Sequence, residues 1–535
     1  MGRAPRRRRR RSAAIATAVA ASLSLVVGKK AYDYGAPPMA PKDCTFTFPD
    51  PLSESAVQVV SEPAEPALAF SQRGGTINDA SCLNRTAING IVDIKSVDDV
   101  AAALHVAARR GWKVSAAGVR HSMGGQAFMS GNLVLDMRGL NGIAIDRQNR
   151  TMTVQSGATW DEVQRRLDVE GLSVVAMQSI NIFTVGGSLS VNAHGISHRP
   201  GPIGVTVRSM RIMLSDGRIV TASPHENPDL FRHAIGGYGL FGIILDAEID
   251  LTENEIYRHD VSLIDYRAVP ALYAEIQRSG ETTGLIYGRF SVAPGNFLQT
   301  VAVHRFSREL TQSPLEPLQP EKLIWLKRLV LNISKTGKLG RWVRWAMEQN
   351  LEPWLHSCLT RNQAMAAPDA CLVTRNQEMF DSMAYLRNRL PDTDILQEYF
   401  LPPAEVPAFI EGLQAITARN EANLLNVTLR IVHKDAVTAL PYAPEDRIAL
   451  VLYFNQQLNR LDSERLQQTT IDLIDLAHEL GGRFYLPYQL AYSPAQLMAS
   501  YPEASGFFAA KRRYDPAGLF SSRFYEKYGL TLMTR

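Results

Sequence analysis

Residues 114–128 read "VSAAGVRHSMGGQAF". The first four are small or apolar and read as a buried strand. The rest is a loop with one histidine, one serine, two adjacent glycines and a glutamine. Taken alone, His121 has four readings. It is a surface histidine, a metal ligand, a catalytic base, or an attachment point for a group the loop holds. The segments on either side decide among them.

Upstream, "IVDI" at 91–94 reads as a short strand. "SVDDVAAALHVAARRG" at 96–111 opens on a serine cap, carries Asp in its first turn and ends at glycine, which predicts a helix. Downstream, "NLVLDM" predicts a strand, and "IAIDRQNRTMTVQSG" a hairpin around an Asn-containing turn. "TWDEVQRRLDVEG" is a second capped helix ending at glycine. Residues 173–203 are dense in Gly, Ser, Asn and His and predict a long loop system with short elements. A hairpin with an Asp-Gly turn, a short helix "NPDLFRHAI" and a buried strand "FGIILDAEIDLT" close the region. "GYGLFG" at 237–242 matches G-x-G-x-x-G, but a helix precedes it and a strand comes after it. A dinucleotide fingerprint needs the reverse order, so this is no Rossmann site.

The whole chain sets outer limits. Its 535 residues exceed one ordinary core and predict at least two domains. The formal charge is +4, yet seven arginines fall within the first eleven residues. The remainder is slightly acidic and has no basic stripe, which excludes nucleic acid as a partner. Residues 12–28 form an uncharged small and apolar run between those arginines and Lys29–Lys30. Residues 1–30 therefore read as a signal peptide or an uncleaved membrane anchor. The charge bias puts the catalytic part on the exported side, membrane-anchored or secreted. Cys44, Cys82, Cys358 and Cys371 form no C-x-x-C pair, so no metal site is expected. Cys358 and Cys371 pair if the chain is exported; otherwise the cysteines stay as separate buried thiols.

Five ordered segments carry a resemblance: "VSAAGVRHSMGGQAF", "VQSGATWDEVQRRL", "TVGGSLSVNAHG", "GVTVRSMRIMLSDGRIVTAS" and "NPDLFRHAIGGYGLFGIILDAEI". In this order they resemble the FAD-binding (PCMH-type) domain of the vanillyl-alcohol-oxidase-type flavoproteins. The likeness resumes at "FFAAKRRYDPAGLFSSRFYEKYG" near the C-terminus. It is nearest to the aldonolactone and sugar-alcohol oxidases and the decaprenylphosphoryl-ribose oxidases. The implied fold is α+β: a two-subdomain FAD-binding domain and a mixed α+β substrate domain that caps it. The implied division is a leader at 1–30, a linker at 31–82 and the FAD-binding domain at 83–255. The substrate domain spans 256–500, and a segment at 501–535 returns to the FAD domain.

The resemblance also assigns residues. Enzymes of this type with an "R-H-S" loop carry FAD covalently on that histidine, which implies a covalent link at His121. Without a Rossmann site, loops must aim backbone N–H groups at the pyrophosphate. Ser122, Gly124, Gly125 and Gln126 are the candidates in the first loop. Gly186, Gly187, Ser188 and Asn192 are those in the second, with Gly195, Gly237 and Gly242 lending close approach. His194, in "NAHG", is similar to a flavin-pocket histidine. In "ILQEYFLP", Gln397 and Tyr399 share one strand face and Glu398 takes the other. Glu398 is the candidate catalytic residue, with solvent exposure as its alternative. In "GGRFYLPYQ", Tyr488 stands where the resemblance implies a lysine, as a hydrogen-bond acceptor or as packing. Arg430 and His433, in "TLRIVHKD", are candidates for the same face. The implied chemistry is hydride transfer from a CH–OH group of a sugar, aldonolactone or sugar-lipid to FAD. Oxygen or a quinone is the expected acceptor. Two alternatives remain: the oxidase half of a polyprenyl-phosphate-sugar epimerase, and a catalytically silent flavin-binding protein.

Overall fold

Short apolar strands flanked by capped helices build the first layer. Strands β1 (Phe70–Arg73), β2 (Gly90–Asp93), β3 (Val114–Ala117) and β4 (Leu133–Asp136) form one sheet in the order β1-β2-β4-β3. β4 runs parallel to both β2 and β3. Helix α1 (Val97–Arg110) supplies the crossover; Ser96 and Asp99 cap each other's backbone, and Gly111 ends it in the left-handed conformation. The loop that opens at residue 118 leaves the carboxyl end of β3, the end at which open parallel sheets bind ligands. The computed structural model describes residues 29, 31–36, 68–278, 282–309, 317–320, 323–350, 371–386 and 390–533.

The second sheet contains β5 (Ile143–Asp146), β6 (Thr151–Gln155), β7 (Leu172–Val174), β8 (Val207–Met213), β9 (Ile219–Ala222) and β10 (Ile243–Glu253). Its order is β9-β8-β10-β6-β5, with β7 added on β10. Helix α2 (Trp160–Val169) lays Trp160 fully into the core. Deleting such a side chain costs about 3–5 kcal/mol. Between them, α3 (Val185–Ser190) interrupts the Gly-rich stretch, and α4 (Pro228–Ala234) precedes β10.

The third sheet has eight strands. These are β11 (Ile256–Asp265), β12 (Thr283–Phe290), β13 (Thr300–Arg308), β14 (Cys371–Thr374), β15 (Asp392–Leu401), β16 (Asn423–Val432), β17 (Arg447–Gln457) and β18 (Arg483–Phe484). The order is β14-β11-β13-β12-β16-β17-β15-β18. β17 is buried along almost its whole length, as a strand covered on both faces must be. Helices α5 (Val269–Arg278), α8 (Val406–Arg419) and α9 (Arg460–Glu479) accompany this sheet. The helical run at 324–350 is two helices, α6 (Ile324–Ser334) and α7 (Lys338–Asn350), broken around Gly337. The described residues are α+β.

The last segment returns to the first sheet. Phe520 pairs in parallel with Val114, and the Val114 N–H donates to Leu519 O at 2.8 Å. Asp515 secures this return by accepting from the N–H groups of Leu519 and Phe520.

Two expectations fall partly outside the described residues. Among the described residues no helix is long and apolar enough to cross a membrane, and the apolar run at 12–28 is not among them. A Cys358–Cys371 pair likewise lies outside the described side chains. Cys82, however, is not a thiol: it is buried and disulfide-bonded.

Candidate active site

The loop after β3 and the inner faces of β15–β17 line one cavity of about 280 Å³. On the first side, Arg120 adopts a positive φ of 57°, so successive N–H groups converge as a nest. Among the described residues, the backbone N–H groups of Val119, Arg120 and Ser122 have no protein acceptor, and all three residues line the cavity. All three residues are half-buried, and N–H groups without a protein acceptor are open to an anionic ligand such as a pyrophosphate. Gly118 allows the close approach: a Cβ at this position would lie 2.1 Å from Thr184 Oγ1. His121 lines the cavity with its ring 4.5 Å from that of Phe183. Gly242 also lines it.

Other expected cradle residues do different work. The Gly124 N–H donates to Gln126 Oε1 at 2.9 Å, and the Gly125 N–H to Asp79 Oδ2 at 3.0 Å. Both donors are engaged inside the protein and neither residue lines the cavity. Gln126 does line it, but its amide staples the loop to the far wall, donating to Leu486 O at 2.8 Å and Tyr488 O at 3.0 Å.

The second glycine stretch forms no nest, because it folds as the short helix α3. Its first donors are already taken: Val185 N–H by Ala158 O, Gly186 N–H by Ser156 O, and Gly187 N–H by Thr184 Oγ1. Gly186 and Gly187 contribute cavity wall only. The Ser188 hydroxyl accepts from Trp160 Nε1 at 2.9 Å and donates to Gln178 Oε1 at 2.8 Å, so it anchors the core. Asn192 ties segments together, accepting from Gly204 N–H and donating to Asp435 Oδ2. Gly195 and Gly237 sit away from the cavity, where backbone carbonyls leave no room for a Cβ.

The opposite wall is built by register. Glu398 on β15 pairs with Val451 on β17, which pairs with Thr428 on β16. One step along, Leu396, Tyr453 and Asn426 form the next row. All six line the cavity. Gln397 and Tyr399 point the other way, with Gln397 Nε2 donating to Thr470 on α9 at 2.6 Å.

Glu398 is the buried charge of this wall. Its Oε1 lies 2.8 Å from His194 Nε2, and both side chains are almost inaccessible to solvent. The contact lies off the hydrogen-bond axis and leaves His194 Nδ1 without a partner. Burial pushes the Glu398 carboxyl up, but His194, Arg430 and a hydrogen bond from Tyr488 outweigh it and hold it below the usual carboxylate range. Glu398 is therefore ionised at neutral pH. Tyr488 moves the other way: burial, then the Glu398 charge, push its phenol well above the ordinary value. It is a neutral donor here rather than an acceptor. Arg430 lines the cavity with one Nη donating to Ser179 Oγ at 2.9 Å and a buried Nε without a partner. His433 is absent from the cavity lining; it pairs with Asp446 at 3.0 Å and lies beside the buried His198.

Several lining residues escaped the sequence reading: Phe183, Ser179, Asn426, Thr428, Leu331 and Arg344. Asn426, Thr428 and Arg430 alternate along one strand, a signal that acquires meaning only once β16 is known to lie beside β17.

Known proteins share the part of the chain that builds the first wall. Residues 88–223 match the FAD binding domain family. Cytokinin dehydrogenase 2 of Arabidopsis thaliana is 32% identical over 165 residues, covering 30% of this chain and 33% of the relative. Decaprenylphosphoryl-beta-D-ribose oxidase of Mycolicibacterium smegmatis is 36% identical over 159 residues, covering 29% and 35%. A putative D-arabinono-1,4-lactone oxidase of Neurospora crassa is 31% identical over 105 residues, covering 20% and 19%. The aligned part thus spans about a third or less of these three relatives.

Proposed function

We propose that the chain, whose residues 88–223 match the FAD binding domain family, oxidises a CH–OH group of a sugar, an aldonolactone or a sugar-lipid. The observation that carries this reading is the buried Glu398–His194 contact in the cavity that also holds the 118–122 loop. Bound FAD supplies the two-electron acceptor, which oxygen or a quinone reoxidises. The N–H groups of Val119, Arg120 and Ser122 would hold its pyrophosphate, and His121 is the proposed covalent attachment point. Glu398, ionised and dry, accepts the hydrogen bond of the substrate hydroxyl. The hydroxyl proton passes to the Glu398 carboxylate, beside which His194 lies at 2.8 Å. Arg430 orients the polar end of the substrate, and Tyr488 steadies the carboxylate as a neutral donor.

Leu331, Met383, Leu386 and Leu396 make one part of the cavity apolar, beside Arg344. That composition favours a second reading, the oxidase half of a polyprenyl-phosphate-sugar epimerase. Export or membrane anchoring on the exported side is supported by the arginine-rich leader and by the disulfide at Cys82.

Anaerobic titration of the flavin absorbance with sugars, aldonolactones and prenyl-phosphate sugars tests the reaction. Bleaching by one class identifies the donor, whereas no bleaching by any leaves a silent flavin-binding protein. Acid denaturation tests His121. The yellow colour stays with the polypeptide in the native sequence and leaves it in H121A; colour that washes off both ends the covalent assignment.

A further inference from the structure

Eleven large apolar side chains are exposed among the described residues: four lie singly, Val261 and Leu263 share one face of β11, and the other five are Tyr32, Leu323, Trp325, Leu339 and Trp342. Four of these five belong to the α6–α7 hairpin or to Leu323, the residue that opens it. The fifth, Tyr32, belongs to residues 31–36, which pack on that hairpin. Arg328 Nη1 donates to Gly35 O at 2.9 Å and Asn332 Nδ2 to Tyr34 O at 2.7 Å. The Trp325 ring lies directly over Gly35, where a Cβ would come within 2.3 Å of it. Leu339 and Trp342, three residues apart on α7, are neighbours on one helix face.

Charge singles out the same element. From Leu323 to Asn350 the chain carries Lys327, Arg328, Lys335, Lys338, Arg341 and Arg344 against one acidic residue, Glu348, and residues 31–36 add Asp33. Arg328 and Lys335 turn inward, Lys335 onto Asp392 and Asp394. Lys338 is exposed, and Lys327 and Arg341 are half-buried. Tryptophan and tyrosine beside cations are the composition of surfaces that sit at a lipid headgroup layer. The inner side of the hairpin meanwhile walls the cavity through Leu331 and Arg344, and Arg344 Nη1 donates to Leu425 O at 2.9 Å. Finally, only Lys29 and Lys30 separate residues 31–36 from the apolar run 12–28 in the sequence.

We propose that the α6–α7 hairpin, with residues 31–36 packed on it, is a docking face for an anionic lipid surface and holds one wall of the cavity against it. This stands on the surface itself, whichever hydroxyl compound is the donor. The exposed apolar side chains enter the headgroup region while Lys338, with the half-buried Arg341, meets the anionic headgroups.

The full chain, mixed with vesicles of phosphatidylglycerol and acyl-brominated phosphatidylcholine, reports the contact through quenching of tryptophan emission. Quenching is expected in the native sequence and at least twofold weaker in W325F/W342F. That variant keeps aromatic bulk at two exposed positions, and its flavin absorbance verifies folding. K338E should lower quenching, as should raised salt or vesicles without phosphatidylglycerol. Equal fractional quenching with and without the two tryptophans would mean that other parts of the chain make the contact, and the proposal fails. Absence of quenching, or equal quenching on purely zwitterionic vesicles, overturns it as well.

Discussion

The two walls of the cavity are made of different material. The first, residues 118–122, offers backbone: three N–H groups without protein acceptors, aligned by a left-handed Arg120 and admitted by Gly118. The second, β15 to β17, offers side chains: a carboxylate, a guanidinium, a hydroxyl and an amide set in register on three strands. A backbone wall recognises a group common to many ligands, such as a diphosphate, and tolerates changes in its side chains. A side-chain wall recognises one substrate and changes with every substitution. Gln126 ties the loop after β3 to the 486–488 segment, whose Tyr488 lines the cavity beside Glu398.

The sharpest way to separate the walls is E398Q. Removing the ionised acceptor should slow anaerobic flavin reduction about 10²–10⁴-fold, while flavin content stays unchanged. Normal reduction in E398Q would place the proton acceptor elsewhere. The pH profile probes the same group. A carboxyl held below its free value is ionised above it, so its contribution is intact above about pH 4.3 and is lost as pH falls through the lowered value. The expected kcat/KM profile is flat through that range, with an acid limb below it that disappears in E398Q.

G118V attacks the backbone wall. The added atoms collide with Thr184, and overpacking of this kind costs about 1–3 kcal/mol. Melting temperature and the flavin-to-protein ratio should both fall, while Glu398 keeps its surroundings. Full flavin occupancy in G118V would refute the cradle assigned to this loop. Y488F is the mildest change: the loss of one hydrogen bond to Glu398 is worth about 1 kcal/mol, or roughly a fivefold slower reduction. A loss as large as that of E398Q would show that Tyr488 touches substrate directly.

The backbone wall was readable in advance and the side-chain wall only in outline. "VRHSMGG" marks a loop after a strand because glycines and a loop histidine act within a few residues of each other. The same reading over-assigned donors. Gly124, Gly125, Gly186 and Gly187 looked like cradle residues, yet Gln126, Asp79, Ser156 and Thr184 accept from their N–H groups. Composition marks a flexible stretch; it does not say whether that stretch closes as a nest or coils as α3. Alternation told only that Glu398 lies opposite Gln397 and Tyr399, and the resemblance, not the period, pointed it inward; Gln397 faces α9, with the Tyr399 hydroxyl donating to it. His433 stands just past Val432, the last residue of β16, and was misjudged, because Asp446 draws it out of the cavity.

By itself the sequence determined the short strands, the capped helices and the loop that leaves β3, which rest on local rules: period, caps, and what glycine does in a loop. The α+β FAD-binding fold, the cofactor role of that loop and the inward turn of Glu398 came from the family resemblance. The tertiary structure decided which N–H groups remain unengaged, that His194 meets Glu398 from a different part of the fold, and that Tyr488 is a neutral donor. Each depends on burial and on partners far apart in the chain, where pairing register rather than local spacing sets the distance.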